Sequence, residues 1–86
     1  MKPSEVAGYL AEARASAEQM LLDMIRDPDR QSIYGLLWPR ILARHAVTKP
    51  ELNLIVAKLR RAGILVVADW QPRQRIPTEQ SRLHVP

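Results

Sequence analysis

Cysteine and phenylalanine are both missing from this 86-residue chain, and its aromatic complement is two tryptophans and two tyrosines. Without cysteine, neither a disulfide nor a thiolate metal site can staple the fold, so a hydrophobic core must hold it. Two histidines, His45 and His84, give no basis for a metal centre. The three glycines, Gly8, Gly35 and Gly63, are scattered and form no phosphate-cradling loop. No nucleophile sits beside a base and no carboxylates pair, so neither catalysis nor a cofactor is expected. No apolar run approaches the ~20 residues that cross a bilayer, and nothing near the N-terminus resembles a signal peptide. A soluble cytoplasmic protein without membrane contact is the expectation. The scarcity of aromatics also disfavours single-stranded nucleic acid or RNA, whose bases are bound largely by stacking.

What is present is a divided charge. The net +4 combines three basic and six acidic residues in positions 1–29, a net −3, with ten basic and three acidic residues in positions 30–86, a net +7. A basic C-terminal part suits a polyanion, and a mildly acidic N-terminal part suits protein contacts, although charge also simply solvates surfaces. The length allows one small domain, 1–86, of a size that often gains stability by oligomerising.

Residues 4–26 are rich in Ala, Leu, Met and Glu and predict one long helix, capped by Ser4 and stopped by Asp27-Pro28-Asp29. Val6, Leu10, Ala13, Ala17, Met20 and Met24 recur in steps of four and three, the spacing of a coiled-coil seam. Val6, Leu10, Ala13 and Ala17 are therefore candidates for homodimerisation, the alternative being an ordinary core helix. Leu21, Leu22 and Ile25 widen the stripe where the helix meets its own domain.

Positions 30–33 read either as a short strand or as the lead-in to a second helix, and the strand is favoured. Residues 36–45 predict a helix with Pro39 in its first turn, where the missing N–H costs nothing. Thr48-Lys49-Pro50-Glu51 has the form of a capping box. It predicts a third helix, with Leu52, Ile55, Val56 and Leu59 inward and Gly63 as its left-handed cap. Ile64 through Trp70 is β-rich, Gln71 through Pro77 is turn-forming and charged, and Arg82 through Val85 is a return strand. The fold class is α+β, mainly α.

On the outward face of the third helix lie Pro50, Asn53, Leu54, Ala57, Lys58 and Arg61, with Arg60 at the flank. Asn53, Lys58 and Arg61 are residue types that read base edges or hold phosphates. Arg73 and Arg75, between Pro72 and Pro77, are expected to reach phosphates or a minor groove, or else to solubilise a hairpin tip. Arg40, Arg44, Thr48 and Lys49 complete a set of candidate DNA-binding residues. Trp38 and Trp70 sit beside apolar neighbours and read as packing residues rather than stacking platforms, while Tyr9 and Tyr34 carry no distinguishable signal.

The stretches Val47 through Asn53, Leu59-Arg60-Arg61-Ala62-Gly63-Ile64-Leu65, and Trp70 through Pro77 resemble winged helix-turn-helix proteins of bacteria and phages. The likeness covers residues 30–86 and rests on motifs shared by many such families. It implies a recognition helix from Thr48, a C-terminal β-hairpin wing, and sequence-specific binding of double-stranded DNA by a dimeric transcriptional regulator. The long N-terminal helix departs from the minimal fold. Because winged helices also serve as interaction modules, the rival reading is a phage or plasmid accessory or inhibitor protein whose exposed Leu54 meets a protein partner.

Overall fold

A computed structural model of the chain describes residues 3–27 and 32–86, with side chains from residue 11 onward. Three helices, α1 (Pro3–Arg26), α2 (Tyr34–Arg44) and α3 (Lys49–Arg61), precede two short strands, β1 (Val66–Val67) and β2 (Leu83–His84). The side chains of Ser4, Val6 and Leu10, and all of residues 28–31, lie outside the described set. The stop at Pro28-Asp29 and the first half of the 30–33 strand fall there; α1 already begins at Pro3, so Ser4, expected as its cap, lies within the first turn.

In α1, Ala17, Leu21, Leu22, Met24 and Ile25 are buried, and Ala13 and Met20 pack partly against the same core. The i, i+4, i+8 recurrence turns this stripe inward along two turns and more, onto α2, α3 and β2. Two of the expected seam residues are therefore reassigned. Ala17 is fully enclosed by its own domain, and Ala13 leans on that core. A self-pairing seam has only the N-terminal part of α1 left to use.

α2 begins two residues earlier than its sequence predicts, for a tertiary reason. Its N-cap, Ile33, has no side-chain cap. Instead the first N–H groups of the helix, which have no intrahelical partner, donate to the chain's far end: Tyr34 N to Ser81 O at 2.8 Å and Gly35 N to Glu79 O at 2.9 Å. The earlier start puts Pro39 in the second turn, not the first, where it deprives the Gly35 carbonyl of its helical donor.

α3 follows its sequence closely. Thr48 N donates to Glu51 Oε1 at 3.1 Å and Glu51 N to Thr48 Oγ1 at 3.3 Å, closing the capping box. At the other end Gly63 adopts φ 76°, Ile64 N reaches Leu59 O at 3.0 Å and Gly63 N reaches Arg60 O at 3.1 Å. This pair of bonds is the Schellman arrangement that glycine permits without a Cβ penalty.

The two strands form an antiparallel pair with Val66 opposite His84 and Val67 opposite Leu83, extended by a single bridge between Ile33 and Arg82. The favoured strand at 30–33 thus survives as one bridging residue, with Leu83 N donating to Ser32 O at 2.8 Å. The expected strand from Ile64 to Trp70 shrinks to two residues. The Schellman turn takes the N–H groups of Ile64 and Leu65, and Asp69 turns left-handed at φ 57°. Tyr34, Leu37, Ile41, Leu52, Val56, Leu59, Leu65 and Leu83 fill the centre. Tyr34, uninformative in the sequence, is the largest wholly buried side chain among the described residues.

Candidate nucleic-acid interface

α3 meets a different neighbour on each flank, and those neighbours decide which of its polar residues stay free. Leu52, Val56 and Leu59 point inward as expected, with Ile55 half-buried. Ala57 was expected to face outward but is buried, because the loop after β1 folds back over that flank. Asn53, on the same flank, is half-buried and accepts the Tyr34 hydroxyl on Oδ1 at 2.5 Å. Its oxygen is spent inside the protein, so the adenine-reading role, which uses both ends of the amide, does not suit it.

The α3 N-terminus is also occupied. Lys49 forms an ion pair with Glu79, and its ammonium lies 4.5 Å from the Trp38 ring centroid. Trp38 Nε1 donates to Glu79 Oε2 at 2.9 Å. The Lys49 hydrogen bond, followed by that from Trp38, holds the Glu79 carboxyl below the usual carboxylate range. Lys49 is thus engaged in an exposed ion pair, which a phosphate would have to displace. Thr48 is exposed, but its hydroxyl and N–H both serve Glu51. Arg14 reaches from α1 to Glu51 Oε2 at 3.0 Å, and it, then Thr48, lowers the Glu51 pKa.

Arg40 and Arg44 are exposed but lie elsewhere. With His45 they line one wall of an open groove of about 1130 Å³ whose other wall is α1, bearing Asp23, with Asp27 just beyond its end. They face carboxylates there, not the α3 surface. The outward face of α3 accordingly reduces to Pro50, Leu54, Lys58 and Arg61. Leu54 is 65% exposed. Lys58 and Leu54 border a second groove, of about 380 Å³, with Arg14, Glu18 and Ile55.

Cations collect where α3 ends. Arg60, Arg61 and Arg75, with Trp70, Gln71 and Gln74, line a cleft of about 360 Å³ between α3 and the loop. The Arg60 guanidinium stacks 4.3 Å from the Trp70 ring centroid. Arg73, adjacent in the loop, is exposed. The two glutamines tie this loop to itself. Gln71 N donates to Gln74 Oε1 at 3.1 Å, Gln74 Nε2 to Ile76 O at 3.0 Å and Gln71 Nε2 to Asp69 O at 3.0 Å.

No family model, curated protein or solved structure matches this chain. Its chemistry must therefore be read from its own residues. Among the described residues, no three His, Asp or Glu side chains come together to hold a metal, and no helix is long and apolar enough to cross a membrane. Arg60 and Glu79 were not singled out from the sequence. The signal for Arg60 was its place three residues after Ala57 on the flank that the loop covers; Glu79 had none, since its partners are 30 and 41 positions away.

Proposed function

We propose that this chain binds double-stranded DNA in the manner of a winged helix, with α3 as the recognition helix and the 68–82 loop as the wing. The observation that carries the reading is the run of four arginines, Arg60, Arg61, Arg73 and Arg75, at the junction of helix and loop. None of them forms an ion pair among the described residues. Uncompensated guanidiniums on two adjoining elements are what a phosphate backbone recruits. Base reading is left to the few polar groups on the outward face, chiefly Lys58, so backbone contacts should dominate affinity. Arg73→Ala and Arg75→Ala should each weaken binding to every duplex alike and lower the salt slope by ~1, whereas Lys58→Ala should cost ~1–3 kcal/mol in a sequence-dependent way. Fluorescence titrations of random and selected duplexes at several salt concentrations check this. Duplex affinity unchanged by both loop substitutions would sink the wing assignment.

The same reading makes the protein a dimeric regulator, paired through the N-terminal part of α1, whose sequence carries Val6 and Leu10. Leu10→Glu should give folded monomers, and light scattering decides. A mutant with the mass of an unaltered dimer, or a wild type that is already monomeric, removes the seam. The second reading, a protein-interaction module, is favoured by Leu54, a large apolar side chain exposed at the centre of the face that should meet bases.

A further inference from the structure

The cleft at the end of α3 has walls that are already set. Arg60 is pinned over Trp70, and Gln71 and Gln74 are tied to the loop backbone, so only the exposed Arg61 and Arg75 side chains remain to be ordered when a ligand arrives. Among the described residues, three guanidiniums line it and no carboxylate does. The α3 C-terminus opposes them with only about half an elementary charge from its aligned peptide dipoles. More than two positive charges are left over in this concavity, a surplus that favours an anion. Guanidinium groups match the oxygens of a phosphate in pairs of parallel hydrogen bonds.

We propose that this cleft seats a single phosphate of a nucleic-acid strand. Arg61 grips it from the helix, Arg75 grips it from the loop, and Arg60, steadied by Trp70, supplies a fixed third charge. The proposal rests on the DNA-binding reading and adds that Arg61 and Arg75 share one phosphate, while Arg73, outside the cleft, takes another.

The test uses R61Q, R75Q and the double variant, all at exposed positions whose replacement leaves the core intact. A random DNA duplex and inorganic pyrophosphate are titrated separately into each protein while the indole N–H resonances of Trp70 and Trp38 are followed. Both ligands should move Trp70 and leave Trp38, whose N–H is held by Glu79. Pyrophosphate should compete with duplex, and the salt slope should fall by no more than ~0.9 even in the double variant, because the two arginines hold one phosphate between them. A double variant that loses ~1.8, with Trp70 unmoved, overturns the shared seat and leaves duplex binding standing. A Trp70 response to pyrophosphate that R75Q abolishes, in a protein that binds no duplex, supports the phosphate seat, overturns its assignment to a strand, and points to a free phosphorylated compound. Silence of Trp70 towards both ligands overturns the seat, whatever the duplex does.

Discussion

Tyr34→Ala should cost ~3–5 kcal/mol of folding stability, the range for emptying a buried aromatic site. A chain of this length typically has ~4–13 kcal/mol in all, so the loss is a large share of the total and should lower the denaturant midpoint strongly. Tyr34 is wholly enclosed where α2 meets α3. Tyr34→Phe isolates the hydroxyl: it keeps the ring and strands the Asn53 Oδ1 that accepted it at 2.5 Å. Because Asn53 is only half-buried and water can partly replace the lost donor, ~1 kcal/mol is expected, the low end for an orphaned acceptor. Denaturant midpoints measure both. A loss for the phenylalanine variant as large as for alanine would mean that the hydrogen bond, not the packing, holds this junction. Burial, and then the Glu79 carboxylate, push the Tyr34 phenol above its ordinary range. The folded protein thus keeps a proton that the unfolded chain has lost, and this group leaves stability untouched below pH ~10 and erodes it as pH climbs beyond. Tyr34→Phe should remove that decline. An equally steep alkaline loss in the variant would assign it to other groups.

Gly35→Ala should also destabilise, against its intrinsic propensity. In a helix interior the change normally gains ~0.5–1 kcal/mol. Here a Cβ would stand 2.7 Å from the Glu79 carbonyl oxygen and 2.7 Å from its Oε2. The 77–81 turn must move, and it supplies the acceptors for the Tyr34 and Gly35 N–H groups. Overpacking of this kind costs ~1–3 kcal/mol, enough to outweigh the helical gain. Hydrogen exchange should then quicken at the first turn of α2, together with a lower denaturant midpoint. Glu79→Gln serves as the comparison, since it keeps the backbone docking and weakens only a water-exposed ion pair, which should cost little. If that substitution proves the more damaging of the two, the side-chain cluster with Lys49 and Trp38 holds the turn, not the backbone fit at position 35.

Elements whose causes are local were legible in advance. The capping box at Thr48 and Glu51 and the glycine at 63 define α3 within one residue at each end, because each signal acts across six residues or fewer. The inward positions of α3 were equally readable from helical spacing. The first turn of α2 was not, since its N–H groups are capped from Glu79 and Ser81, more than forty positions away. The same limit governs the site. Residue type nominated Lys49, Asn53, Arg40 and Arg44, but availability depends on what each side chain meets. Lys49 meets Glu79, Asn53 meets Tyr34, and the two α2 arginines face Asp23 and Asp27 across a groove. Helix spacing alone could not foresee that the loop covers Ala57 and carries Trp70 onto Arg60.

By itself, then, the sequence determined the helices with their own start and stop signals, the α+β class, and the segregation of positive charge into residues 30–86. Periodicity, capping and composition need no distant partner. Only the tertiary structure decided which cations remain uncompensated and which polar groups are consumed internally. Ion pairing and burial depend on three-dimensional proximity, and the 77–81 turn and the glutamine-tied loop bring together residues that no short window of the chain contains.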